Sequence, residues 1–257
     1  MLSLNYAFNN LSIFTLVFAR IAAILAFNPL FSRKNVPHTV RMALIFWLSI
    51  AVFPAVSQLS PPQDPASFIL ALFTEILIGF FFSFVFIVFN YMLIFAGEIL
   101  DMQLGLAMSK VFDPGTSIQM SVTSNLLNII FVLYFFACDA HLAYINIIAD
   151  SFGVVQIGAG IVGSQFLDFV VGMFTHSINL CIKLTLPFLA AQFTTEILMG
   201  VLMKMVPQIH VFVINIQVKL VMGIFLLFLY AYFIGDFIDK YMGIMLTAMN
   251  NSFGLFV

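Results

Sequence analysis

Arg20, Glu75, Asp139, His141, Lys183, Glu196 and Lys219 stand within or at the edge of stretches that are otherwise apolar. At the centre of a bilayer each such charge costs at least about 2.5 kcal/mol. Two chemistries explain their presence. Carboxylates and a histidine at that depth can pass protons, as in a coupled transporter. Alternatively, opposite charges pair where helices pack against protein instead of lipid. From residue type and position alone both readings stand. The other motifs carry less. Gly158-Ala-Gly160-Ile-Val-Gly163 matches the dinucleotide fingerprint, but no acid lies near residue 180 to hold a ribose, so it reads as an inter-helix turn. His38, His141, His176 and His210 have no metal-binding spacing, and Cys138 and Cys181 both lie in apolar runs. No catalytic constellation, metal site or cofactor motif is expected.

The stretch from Gly97 to Gln119 is of another kind. It mixes Glu98, Asp101, Gln103, Lys110 and Asp113 with Met102, Leu104, Leu106, Met108 and Phe112. Gly105 interrupts its helical pattern, and Asp113-Pro114-Gly115 is a turn signal. A connector this long between apolar segments usually has a function. Methionine and other flexible apolar side chains can seal an opening and repack when something passes. The segment therefore reads as a loop lining or plugging a passage.

These residues must be positioned by a very apolar chain. Of its 257 residues 63% are hydrophobic and 8% charged, and 33 are phenylalanine. Soluble domains are nearer half apolar and about a quarter charged, so an ordinary soluble enzyme is excluded. The net charge of −2 offers no basic face for nucleic acid. The chain reads as an all-α, membrane-type protein with about six apolar helical segments: Leu11–Phe31, Met42–Val56, Phe68–Ala96, Val122–Ala149, Phe166–Met203 and Val211–Gly235. Breaks are expected at Pro29, Pro54 and Pro187. No basic residue precedes Arg20, so no cleavable signal is expected. Arg33, Lys34 and Arg41 place the first connector in the cytoplasm and the N-terminus outside. Alternation then puts the C-terminus, with Asp236, Asp239 and Lys240, outside.

The run Ala96-Gly97-Glu98, Asp101, Gln103, Gly105 and Phe112-Asp113-Pro114-Gly115 resembles the signature of the FliR/SctT family of export-gate proteins. Arg20, Pro29, Pro37 and Arg41 match its N-terminal pattern, and Asp139 with His141 its fourth segment. Pro187, Glu196, Gly200, Pro207-Gln208, Val211-Phe212, Lys219 and Gly223 match its C-terminal half. Ala140 replaces the family's glycine before His141, and His210 replaces its usual Asn or Ser.

The resemblance implies a single FliR-like helical domain over residues 1–257, built of bent helical hairpins. It implies a subunit of the core export gate of bacterial type III secretion, in the inner membrane, joined to FliP-type and FliQ-type partners. An FlhB-type protein would wrap the entrance, and unfolded export substrates would pass. Phe-Asp-Pro-Gly and Pro-Gln-x-x-Val-Phe favour the flagellar basal body over the injectisome, the alternative. The loop at 97–121 would help plug the channel, with Met102, Leu104, Leu106, Met108 and Phe112 as its apolar members. Gly105 would permit its bend, and Asp113-Pro114 would fix its return. Gly97, Glu98, Asp101 and Gln103 would hold its base. Such a subunit performs no hydrolysis. A self-contained proton-coupled transporter, with Glu75, Asp139, His141 and Glu196 as relay, is the remaining reading, but the chain lacks a convincing internal repeat.

Overall fold

A computed structural model describes residues 2–33, 36–56, 62, 64–106, 121–158, 163–205 and 211–256, with 2–8 and 211–213 as backbone only. The described residues form helices α1 (Leu2–Phe27), α2 (His38–Val56), α3 (Pro65–Gln103), α4 (Val122–Ala137), α5 (Ala140–Val154), α6 (Phe166–Met205) and α7 (Val211–Asn251), then a short 3-10 turn, Ser252–Leu255. Among the described residues there is no strand. Five helices are long and apolar enough to cross a membrane, and α4 with α5 makes a sixth if taken as one bent span. Helices meet that environment because they satisfy their backbone hydrogen bonds internally.

Several boundaries differ from the sequence expectation. Helix α1 does stop before Pro29, where Asn28 Oδ1 accepts the Leu30 N–H at 2.9 Å and ends the helix in a side-chain turn. Pro54 and Pro187, however, lie inside α2 and α6, neither of which breaks there. A proline removes one backbone donor, and in apolar bundles neighbouring groups make up such a loss. The expected Val122–Ala149 segment is instead divided without a proline. Asp139 takes a left-handed conformation, φ 56°, and separates α4 from α5. Aspartate is among the few residues that tolerate this region. Ala140 has an ordinary helical place, so its substitution for glycine does not strain the chain. Helix α3 runs seven residues beyond Ala96, to Gln103. Helix α7 extends well past Gly235, and Asp236 pairs with Lys240 at 2.8 Å within it.

The residues divide into two compact units. The first comprises residues 1–89, 139–173 and 243–257. Its core is phenylalanine-rich: Phe81 meets Phe166 and Phe256, Phe82 meets Phe253, and Phe86 meets Tyr144, with ring centroids 5.0–5.8 Å apart. The chain end is tied in by Gly163 N–H donating to Leu255 O at 2.8 Å. Asn28 Nδ2, in the turn after α1, donates to Tyr144 Oη of α5 at 2.8 Å. Tyr144→Phe leaves that buried amide short of a partner, and a loss of about 1–3 kcal/mol is expected, read as a lower melting temperature in mild detergent.

The second unit comprises residues 90–138 and 174–242. Helix α4 buries Leu127, Phe131 and Phe135, one residue per turn, on a single face. Phe188 of α6 meets Tyr230 of α7 at 5.4 Å.

Candidate functional site

Within the first unit Arg20 and Glu75 are both fully buried. Arg20 Nε donates to Glu75 Oε2 at 2.5 Å and Nη2 to Oε1 at 3.1 Å. The other Arg20 donors reach the last turn of α5: Nη1 to Ser151 O at 3.0 Å and Oγ at 3.4 Å, Nη2 to Val155 O at 3.2 Å. A guanidinium has five N–H groups, and each has an acceptor. Glu75 Oε1 also accepts the Gly158 N–H at 3.0 Å, and the Phe152 ring lies 4.3 Å from the guanidinium carbon. The cation thus closes the negative end of α5 while its carboxylate partner links α3 to the following turn. Gly79, one turn beyond Glu75, allows the approach: a Cβ there would lie 2.5 Å from Arg20 O.

The remaining ionisable candidates are placed differently. Asp139, Lys183 and Glu196 are exposed and His141 is half-buried, so burial among them is confined to Arg20 and Glu75. Asp139 faces outward because it forms the turn between two helices instead of lying within one. Glu196 on α6 accepts from Lys219 Nζ on α7 at 2.5 Å in the second unit. Gln192, one turn before Glu196, donates to Lys219 O at 3.4 Å.

The start of the 97–121 segment also belongs to the second unit. Gly97, Glu98, Asp101, Met102 and Gln103 lie on the last turns of α3. Asp101 is buried, and its Oδ1 accepts the Thr123 N–H at 3.0 Å in the first turn of α4. Ser121 caps α4 by accepting from Ser124 N, and Ser124 Oγ donates to Ile94 O at 2.7 Å. The two ends of the segment are thereby joined at its base. Glu98 is exposed and Gln103 half-buried. Met102 is 60% exposed, whereas Leu104 is buried, and Gly105 and Leu106 are half-buried. Met108, Phe112, Asp113 and Pro114 lie outside the described residues.

Residues 11–245 match the family described as bacterial export proteins, family 1. The chain belongs to that family. This export family member is 30% identical over 213 residues to flagellar biosynthetic protein FliR of Pectobacterium carotovorum subsp. carotovorum, covering 80% of this chain and 79% of the relative. It is 25% identical over 221 residues to FliR of Bacillus subtilis, covering 83% and 84%. It is 27% identical over 221 residues to the Yop proteins translocation protein T of Yersinia pestis, covering 84% and 85%. It is thus a membrane-type bacterial export protein similar to both flagellar and Yop translocation components.

Sequence reading passed over the groups that complete these contacts. Ser151 and Val155 contribute carbonyls, which every residue type offers, and Gly158 contributes an N–H. Ser121 was legible as a helix start, a serine immediately before an apolar run. The bond from the Thr123 N–H to Asp101, 22 positions earlier, was not.

Truncating Asp101 to alanine removes a charged acceptor from the first turn of α4. A loss of about 0.5–2 kcal/mol is expected, checked by melting of the purified protein in mild detergent. Asp101→Asn retains an oxygen acceptor and should lose less.

Proposed function

We propose that this export family member is a subunit of the core export gate of a bacterial flagellar type III secretion system in the inner membrane. It assembles there with FliP-type and FliQ-type subunits and is embraced by an FlhB-type protein. The assembly forms a channel for unfolded substrate proteins. The structural observation carrying this reading is the uncovered apolar surface of α6 and α7. Phe193, Ile197 and Val201 on α6 and Val221, Phe225 and Phe228 on α7 are all more than half exposed. Faces of this kind fit neighbouring helices or lipid, and the resemblance to export-gate proteins favours neighbouring subunits.

The segment from Gly97 to Ser121 acts as the plug, carrying Met102, Leu106, Met108 and Phe112 into the passage. Flexible apolar side chains exclude water and ions at rest yet yield to a passing chain. Asp101 holds the base; its bond to Thr123 supports this role. The pairings of Glu75 with Arg20 and of Glu196 with Lys219 favour a structural function for those charges over a proton relay. Energy for transport comes from other parts of the machine.

Co-expression with FliP-type and FliQ-type partners, followed by native mass spectrometry in mild detergent, tests the assembly. A defined particle with this chain as a minor component is expected. A stable monomer or homodimer indifferent to those partners overturns it. The similarity to the Yersinia pestis protein supports an injectisome as the second reading. Restored motility in a flagellar strain lacking its own FliR distinguishes the two.

A further inference from the structure

Besides its tie to α4 through Asp101 and Thr123, the start of the segment packs against α7. Leu104, the first residue after α3, is buried, and a Cβ at Gly223 of α7 would overlap the Leu104 side chain. One turn earlier on the same helix, a Cβ at Gly105 would stand 3.9 Å from the Lys219 Cβ. Gly105 itself is left-handed, φ 74°, so the chain changes direction on the residue that follows the seated leucine. Lys219 is in turn bound to Glu196 of α6. We infer that the notch at Gly223 is a positioning site, which holds Leu104 and so fixes on α7 the point at which the chain turns out of α3, with Gly105 as its joint. Movement of α7, and of α6 through the Lys219–Glu196 pair, then carries the end of α3 with it. The consequence for sealing rests on the plug reading above, but the seat itself does not.

The separation suits a disulfide, whose Cβ atoms lie about 3.5–4.5 Å apart. The test uses the full chain in membranes with its partner subunits and with Cys138→Ser. The paired variant Gly105→Cys/Lys219→Cys carries Glu196→Gln, so that no carboxylate is left unpaired. Mild oxidation should protect both new thiols from a maleimide polymer. Adding Gly223→Ala should slow that cross-linking at least about fivefold, and further adding Leu104→Ala should restore it. Restoration by a second truncation separates displacement of the leucine from general misfolding, and abundance of the reduced chain is the control. Failure to cross-link in a chain of normal abundance, or cross-linking unaffected by Gly223→Ala, overturns the seat. Ion leak is then measured in Gly223→Ala without the added cysteines. Slowed cross-linking with unchanged leak supports the seat and overturns the sealing role of the loop instead.

Discussion

Glu75→Ala is expected to destabilise the chain by about 3–5 kcal/mol, the loss found when one partner of a buried ion pair is removed. The effect should be a large fall in melting temperature in detergent and in the amount recovered from membranes. Arg20 remains fully buried in that variant, with acceptors only at Ser151 and Val155 to hold its charge. The Gly158 N–H also loses its acceptor. Arg20→Ala should be at least as damaging, because the last turn of α5 loses its cap as well. The charge-reversed pair Arg20→Glu/Glu75→Arg provides the decisive comparison. If attraction between the two residues were all that mattered, exchange would restore stability. Here position 20 faces backbone carbonyls, so a carboxylate there meets oxygen and the exchanged pair should remain unstable. Full recovery would show that the α5 contacts are incidental. Arg20→Lys should fail as well, since a point ammonium cannot span acceptors arranged for a planar fork.

The second large effect is expected at Gly97. A Cβ there would overlap the Ser124 backbone, where α3 and α4 pack without an intervening side chain. The obstructing atoms are main chain and cannot turn aside. Gly97→Val should therefore cost about 3 kcal/mol, the upper part of the usual range for overpacking, with Gly97→Ala intermediate. Because the same contact carries the Ser124–Ile94 bond and lies one turn from Asp101, the base of the 97–121 segment should be displaced too. Gly200 supplies the internal control. It lies within α6, and a Cβ there would meet nothing within 4 Å. Gly200→Ala should be neutral or stabilising by about 0.4–1 kcal/mol. Comparable losses at both positions, measured by thermal melting, would mean that α3 and α4 do not pack this closely.

The contrast between these glycines marks where local reading ends. Composition and unbroken apolar runs determined that the chain is helical and membrane-type, because a backbone in a nonpolar medium must satisfy its own hydrogen bonds. The run from Ala96 to Gly105 with Phe112-Asp113-Pro114-Gly115, and landmarks from Arg20 to Gly223, carried the family resemblance, which the match over residues 11–245 bears out. Proline, by contrast, overstated the breaks: Pro187 sits within α6, and the division between α4 and α5 falls at Asp139. A helix tolerates the loss of one hydrogen bond when its surroundings hold it, and those surroundings are set by residues distant in sequence.

The same limit applies to the charges. Arg20, Glu75, Asp139, Lys183 and Glu196 look alike as ionisable residues in or beside apolar stretches. Only tertiary structure separated the fully buried Arg20–Glu75 pair from the exposed Asp139, Lys183 and Glu196. Pairing depends on which helices meet and at what height, and periodicity within one helix carries no information about either. The Gly223 notch is the clearest case, because a glycine's role there consists in space that Leu104, 119 positions earlier, occupies. Sequence specified the residues able to pair. The packing of helices decided which of them do so, because burial and hydrogen bonding are properties of contacts between segments.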